Sequence, residues 1–176
     1  DPYSPATTSR DGTGIAITVE PASPSSNFVP PPMEKLVVLE THLRDLLAYA
    51  QIPLTKEQRL EFNGLTKWLK TEDCYLKKLG VNAVELLPIH DFDARNKEEY
   101  HWGYMPVNLF APASSYASNS NDGSVISEFK QLITTFHDQG LAVIVDVVYN
   151  HFGVPNYLSI LDRELYLSTD ENGELT

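Results

Sequence analysis

One stretch constrains the fold of this chain more than any other, the run from Leu141 to His151. Its first eight residues, Leu-Ala-Val-Ile-Val-Asp-Val-Val, are apolar and largely β-branched apart from one carboxylate. Runs of this kind are typical of parallel strands that are covered on both faces. The exception is Asp146, and a buried carboxylate is costly unless it is paired and hydrogen-bonded. We therefore expect Asp146 to have a dedicated partner or to lie at the open end of the strand.

Three polar residues, Tyr149, Asn150 and His151, follow where this strand should give way to a loop. The C-terminal ends of parallel strands are where α/β proteins build their sites. The run by itself leaves an alternative open, because a structural ion pair between Asp146 and an Arg or Lys would also satisfy the carboxylate.

The charge of the chain limits its partners. Among 176 residues, 24 Asp or Glu oppose 13 Lys or Arg, and the formal net charge is -11. This charge argues against nucleic acid and anionic membranes as partners, since both favour clustered Lys and Arg. It is compatible with a neutral ligand such as a sugar. No apolar run approaches membrane-spanning length and no signal peptide opens the sequence, so we expect a soluble protein.

The single cysteine, Cys74, excludes a disulfide within the chain. It is predicted to lie in a helical stretch, where a lone buried thiol normally has a packing role. The cysteine content leaves the compartment open and favours the cytoplasm.

Residues 1–32 are rich in Pro, Ser, Thr and Gly, and we interpret them as an extended linker or the end of a preceding domain. The three prolines at 30–32 can neither continue a helix nor join a central strand. Within this segment only Ile15–Val19 alternates like a strand, and we expect it at a sheet edge.

Three apolar runs predict buried strands at Leu36–Leu39, Val81–Ile89 and Leu141–Val148. Helical patterns precede the second and third runs, which indicates repeated β/α organisation, either doubly wound or a barrel. No Gly-rich phosphate-binding loop follows any of these strands, which argues against a nucleotide site. The barrel is therefore favoured.

The first helical pattern begins at Thr55, which forms a capping-box motif with Gln58, and it continues as far as a stop at Gly80. Its apolar positions are, in order, Leu65, Trp68, Leu69, Tyr75, Leu76 and Leu79. The second pattern is predicted to be capped by Ser124 and to end at Gly140.

A long connection, residues 90–122, separates the second strand from the second helix. It is too aromatic for disorder, so we expect it to be ordered and functional. Its aromatic residues and histidine include Tyr100, His101, Trp102, Tyr104, Phe110 and Tyr116. The last stretch, residues 152–176, is polar and turn-rich, with its clearest turn at Asp170–Gly173.

Four segments, taken together and in this order, resemble the alpha-amylase superfamily of retaining glycoside hydrolases and transglycosylases. Leu36–Asp45 resembles barrel strand one of debranching members, of the pullulanase or isoamylase kind. Gly80–Ile89 resembles strand two, and His101–Pro112 resembles the Trp-Gly-Tyr loop after it. Asp146–His151 is similar to the first conserved region, at the end of strand three.

The resemblance implies an α/β fold, the N-terminal portion of a TIM (β/α)8 barrel with about three β/α units. An extended Pro-rich segment would precede it. Residues 33–151 would carry strands one to three, and residues 152–176 would begin the long loop after strand three.

The resemblance also implies roles for four residues. Tyr104 would stack its ring on the sugar next to the scissile bond, and His151 would hydrogen-bond the primary hydroxyl of that sugar. Asp146 would orient the nucleophile through an Arg on a later strand. Asn150 would brace its loop and in some relatives ligates calcium; we expect no other metal or cofactor. As alternatives, Tyr104 would be core for its loop and Asn150 a turn residue, while Trp102 is expected to pack.

The superfamily's catalytic carboxylates follow strands four, five and seven, and this sequence stops before strand four. A retaining glycosidase needs two carboxylates about 5 Å apart. No catalytic residue is therefore expected in this chain, which is predicted to be inactive and not to fold stably without the remainder of the barrel. The parent enzyme would hydrolyse α-1,6 branch links in α-glucans such as glycogen, starch or pullulan. Alternatives are a branching or other transglycosylating relative, or a non-catalytic glucan-binding remnant.

Overall fold

The computed structural model describes residues 27–174 together with two short strands, β1 (Ala6–Thr8) and β2 (Gly14–Ala16). These two strands pair antiparallel. The strand predicted at Ile15–Val19 is present at Ile15 and Ala16 and starts one residue earlier, at Gly14. The last three residues of the prediction lie outside the described part of the chain. Residues 27–32, which include the three prolines, form no helix or strand.

The remaining α-helices and strands of the described residues follow between residues 38 and 166. In order they are β3 (Val38–Thr41), α1 (Leu43–Ala48), α2 (Phe62–Leu69), β4 (Ala83–Leu86), β5 (His90–Phe92), β6 (Pro106–Pro112), α3 (Ser124–Asp138), β7 (Ala142–Val145) and α4 (Tyr157–Tyr166). None of the helices in residues 27–174 has the length and apolar character needed to cross a membrane.

A three-stranded parallel sheet, ordered β3-β4-β7, organises the structure. The α/β class and the three parallel strands are therefore confirmed. Thr41, Leu86 and Val145 lie side by side in the register, so the C-terminal ends of all three strands meet at one edge. This alignment brings together the segments that follow the strands.

The strands are shorter than the apolar runs predicted. The outer strands β3 and β7 are also less covered than expected, because Val38 is 41% exposed and most of β7 is half-buried. In the central strand β4, by contrast, Ala83, Val84 and Leu86 are fully buried. The difference in burial follows from the place of each strand in the sheet. The central strand β4 has a hydrogen-bonded neighbour on each side, and each outer strand has one within the described residues.

The helix predicted from Thr55 to Gly80 is wrong as a single element. Thr55 and Gln58 do exchange the two capping-box bonds, each 3.2 Å from backbone nitrogen to side-chain oxygen. They cap only a 3₁₀ turn, after which Glu61 is extended and α2 begins. After α2 the chain forms turns as far as Gly80, and the indole nitrogen of Trp68 donates to Asp73 Oδ2 in this segment at 2.9 Å.

Arginine side chains stabilise the irregular segments around α1 and α2. Arg59 Nη1 donates to the carbonyl oxygen of Leu47 at 2.5 Å, and Nη2 donates to that of Ala50 at 3.1 Å. Buried carbonyl groups need such donors wherever a helix does not supply them. Cys74 lies between two turns and not in a helix, but it is buried, so its predicted packing role is confirmed.

Helix α3 covers the sheet with an apolar face. Val125, Leu132 and Phe136 on this face are at most 1% exposed. Ser124 is not the cap, because it is the first residue of the helix and its backbone nitrogen donates to Asp122 Oδ1 at 2.9 Å. The largest fully buried side chains of the core include Trp68, Tyr116, Phe62, Phe136, Leu43 and Leu47.

The long connection 90–122 is ordered, as predicted, but it contains an antiparallel hairpin of β5 and β6 that the sequence did not predict. Residues 152–176 hold a further unpredicted element, α4. Its apolar residues Ile160 and Leu165 are 78% and 71% exposed, so no periodic buried face revealed it. The turn at Asp170 is confirmed by the bond from Gly173 N to the Asp170 carbonyl oxygen, 3.0 Å long.

Candidate functional site

The candidate site lies where the C-terminal ends of the parallel strands meet. Asp146 follows β7 directly, and His42 follows β3 directly. The hairpin that begins at His90 follows β4 after three residues, and it carries the loop with Tyr104 towards the same edge. The site is therefore assembled from segments that follow three neighbouring strands.

Asp146 has a dedicated partner and lies just past the end of its strand, so both halves of the expectation hold. The Tyr104 hydroxyl donates to Asp146 Oδ2 at 2.6 Å. This hydrogen bond raises the pKa of Tyr104 to about 12, with burial as a smaller cause. Tyr104 therefore remains a phenol and a donor at neutral pH. Among the described residues no Arg or Lys forms an ion pair with Asp146, so a phenol takes the place of the structural cation.

His151 lies on the other side of Tyr104. Its Nε2 donates to the Tyr104 carbonyl oxygen at 2.6 Å, and the residue is exposed. In the neutral ring this donation leaves Nδ1 as an acceptor. The structure thus brings together three of the four predicted residues: Tyr104, Asp146 and His151.

Asn150 is also exposed, next to His151, and its predicted roles in bracing the loop or binding calcium stay predictions. Within the described residues no group of three His, Cys, Asp or Glu side chains is arranged to hold a metal ion. The roles assigned to Tyr104, His151 and Asp146 likewise stay predictions.

Two glycines allow the loops of the site to approach each other closely. Gly103 has a φ of +88°, and a Cβ there would lie 2.3 Å from the Pro88 carbonyl oxygen. A Cβ on Gly153 would lie 2.5 Å from the Met105 carbonyl oxygen. Gly153 N donates to the Pro106 carbonyl oxygen at 2.8 Å. The loop that carries Tyr104 is therefore interlocked with the loop that carries His151.

Sequence reasoning missed an aromatic group beside this site. The ring of His90 lies 6.4 Å, centroid to centroid, from the rings of both Phe110 and Tyr149. Phe110 has a φ of +63°, rare for a non-glycine residue, and its N–H donates to His90 Nδ1 at 3.2 Å. The signal available in the sequence was the histidine directly after the Pro-Ile end of the second apolar run.

Trp102 is 60% exposed, so the expectation that it packs is wrong. The turn between Tyr100 and Tyr104 points its indole outward, while the neighbouring Gly103 is buried. A sequence pattern cannot distinguish these two orientations, since they depend on the backbone of one turn.

Acid is expected to destabilise this region through two histidines. Burial lowers the pKa of His42 and of His90, although the Asp146 charge partly opposes the shift at His90. As pH falls, the unfolded chain binds these protons first, at about pH 6.5. The stability that the neutral rings contribute is present above that pH and is lost as pH falls towards the folded pKa values. The slope is at most about 1.4 kcal/mol per pH unit for each histidine.

Thermal melts of the complete gene product measure this loss of stability. They are recorded from about pH 7.5 to about pH 5, a range that spans the titration of histidine. The variant His90→Asn keeps an acceptor for the Phe110 N–H but does not titrate. It should show a shallower decline in melting temperature with acid than the wild type. An unchanged decline in this variant would contradict the assignment to His90.

Comparison with known proteins identifies the family. The alpha amylase catalytic domain matches residues 57–159, a range that contains Tyr104, Asp146, Asn150 and His151. The pullulanase of Bacillus subtilis is 37% identical over 171 residues, covering 86% of this chain and 23% of the relative. The chloroplastic isoamylase 1 of Arabidopsis thaliana is 30% identical over 180 residues, covering 86% of this chain and 22% of the relative.

A solved structure agrees. The crystal structure of the pullulanase of Anoxybacillus sp. LM18-11 complexed with maltotetraose superposes with a TM-score of 0.78 at 29% identity. It covers 100% of this chain and 28% of the pullulanase. The chain thus spans about a quarter of the length of the relatives that it matches. Since the family domain matches more than half of it, the chain belongs to the alpha-amylase family of glycoside hydrolases, in the debranching branch of pullulanases and isoamylases.

Proposed function

We propose that the complete gene product is a retaining glycoside hydrolase that cleaves α-1,6 branch links in α-glucans such as glycogen, starch or pullulan. The observation that carries the proposal is the hydrogen bond from Tyr104 to Asp146, with His151 on the Tyr104 carbonyl. It lies at the C-terminal edge of a parallel sheet, in a chain 37% identical to a pullulanase.

The fold supports a barrel. In this proposal β3, β4 and β7 are the first three strands of a TIM (β/α)8 barrel, which uses parallel strands with sites at their C-terminal ends. Residues 33–151 supply these strands, residues 1–32 form a linker or the end of a preceding domain, and residues 152–176 begin the loop after strand three. The remainder of the barrel, in the same or a second chain, would pair the outer strands, where Val38 is 41% exposed.

The side chains fit a sugar. An aromatic ring such as that of Tyr104 suits the C–H face of a pyranose. The acceptor Nδ1 of a neutral His151 would take a hydrogen bond from the primary hydroxyl group of the same sugar. Asp146 would hold the Tyr104 hydroxyl and orient the nucleophile through a later Arg. Asn150 would brace the loop and could supply an oxygen ligand to calcium. The net charge of -11 suits a neutral glucan better than a polyanion.

The chemistry would need two further carboxylates. Retaining glycosidases place a nucleophile and an acid/base about 5 Å apart, one to attack the anomeric carbon and one to protonate the leaving oxygen. In the proposal both come from later strands of the barrel, and the 176-residue chain alone is inactive. Its residues position the sugar next to the scissile bond.

The test is an assay of the complete gene product on pullulan, branched dextrin and linear amylose. We expect new reducing ends from pullulan and branched dextrin but not from amylose, with retained anomeric configuration in proton NMR. An increase in branch points would instead show a branching enzyme. Binding of maltooligosaccharides without turnover would show a glucan-binding remnant. Either result would overturn the proposed hydrolase.

A further inference from the structure

The turn that carries Tyr104, residues 101–104, is held by the ring of its own first residue. His101 Nδ1 accepts a hydrogen bond from the Gly103 N–H at 2.9 Å. In the neutral ring the proton is therefore on Nε2, which lies 3.3 Å from Asp93 Oδ1. The Gly103 N–H thus sets the tautomer of His101, and the Asp93 carboxylate faces the protonated Nε2. The ring also stacks on Phe92 at a centroid distance of 4.9 Å.

A second histidine holds the other side of the same turn. His42, which is 3% exposed, accepts the Arg44 N–H on Nδ1 at 3.1 Å and so caps α1. Its proton is then on Nε2, which donates to the His101 carbonyl oxygen at 3.1 Å. The Tyr116 hydroxyl lies at the same distance from this nitrogen. One buried ring therefore connects the end of β3 to the Tyr104 turn.

The two rings act on neighbouring peptide groups. His42 restrains the carbonyl group of residue 101, and His101 restrains the N–H group of residue 103. The next residue is Tyr104, whose hydroxyl oxygen must lie 2.6 Å from Asp146 Oδ2. Site residues depend on such supporting contacts, because a displacement of about 1 Å can lower turnover about 100-fold.

We propose that His42 and the pair formed by His101 and Asp93 are positioning residues for Tyr104: they hold the turn 101–104 so that the Tyr104 ring faces the substrate. This inference rests on the proposed function. It assigns roles to three residues that lie outside the group of Tyr104, Asp146 and His151. All three would act through Tyr104 and not by binding the sugar.

Variants of His101 in the complete gene product test the inference, with kcat and KM measured on pullulan. His101→Ala removes the acceptor for the Gly103 N–H and should lower kcat at least about 10-fold, with a smaller change in KM. His101→Asn should recover most of kcat, because an Asn oxygen accepts from the N–H two residues on. Adding His101→Ala to the Tyr104→Ala variant should cause no further loss of kcat, because His101 acts through Tyr104.

His42 supplies a matched pair of variants that does not depend on His101 tolerating substitution. His42→Asn keeps an acceptor for the α1 cap but cannot reach the His101 carbonyl, so kcat should fall. His42→Gln keeps a donor for that carbonyl but loses the cap. Its melting temperature should therefore fall below that of His42→Asn, while its kcat should stay closer to the wild-type value. The two variants should therefore rank in opposite order for kcat and for melting temperature. That result separates a positioning role of His42 from a general effect on stability.

Two outcomes would overturn the inference while leaving the proposed function intact. One is a full wild-type kcat in His101→Ala and His42→Asn when Tyr104→Ala is impaired. The other is an equal loss from His101→Ala in the presence and absence of Tyr104, which would show a merely structural role. No glucan turnover by the wild type would overturn the proposed function and the inference together.

Discussion

Replacing Tyr104 with alanine in the complete gene product is expected to lower its turnover of pullulan about 100-fold or more. The change removes the ring that would stack on the sugar and the donor that lies 2.6 Å from Asp146 Oδ2. Positioning contacts at the reacting sugar count mostly in the transition state, so kcat should fall more than KM rises. Steady-state kinetics on pullulan measure both constants.

The matched control is Tyr104→Phe, which keeps the ring and removes only the hydroxyl group. Losing one hydrogen bond to a charged group is worth about 1.5–3 kcal/mol, so this variant should lie between the wild type and Tyr104→Ala. If the alanine variant turned pullulan over at the wild-type rate, Tyr104 would be only a core residue of its loop. If the phenylalanine variant were as impaired as the alanine variant, the hydroxyl and not the ring would carry the effect.

The second large effect is expected from Gly103→Ala. The residue has a φ of +88°, and a Cβ there would lie 2.3 Å from the Pro88 carbonyl oxygen. Backbone strain of about 1–2 kcal/mol and steric overlap of about 1–3 kcal/mol should together destabilise the protein. The turn must shift to relieve the overlap, so turnover should fall as well. Thermal melts and pullulan kinetics on the same sample measure the two effects.

Gly140→Ala provides a matched control, because Gly140 has a similar φ of +77° but a Cβ there would meet no heavy atom within 4 Å. It should show only the strain, with a smaller drop in melting temperature and unchanged kcat. Equal effects of the two substitutions would mean that the close approach to Pro88 is unimportant.

Much of the framework follows from local patterns. Three apolar runs predicted three parallel strands. Asp146 within the third run was expected to have a dedicated partner or to lie at the open end of its strand, and His151 was expected in the loop after it. These predictions succeed because strand periodicity and burial are properties of a few consecutive residues. The alternation of helices and strands likewise restricted the topology to parallel pairing.

Other features depend on partners that are distant in sequence. The Thr55 capping box forms, but Glu61 is extended and the helix restarts after it, while Arg59 binds carbonyl groups of the segment after α1. Satisfying those buried carbonyl groups outweighed the local preference for one helix. Helix α4 escaped prediction because none of its residues is fully buried, which leaves no buried stripe to detect.

The sequence by itself therefore determined the parallel strands, their order and the residues that end near one edge of the sheet. Only the tertiary structure decided that Tyr104 bonds Asp146 across 42 positions and that His42 reaches the His101 carbonyl across 59. The physical reason is that propensity and periodicity act over a few residues. A hydrogen bond between loops depends on where the whole sheet places both of its partners.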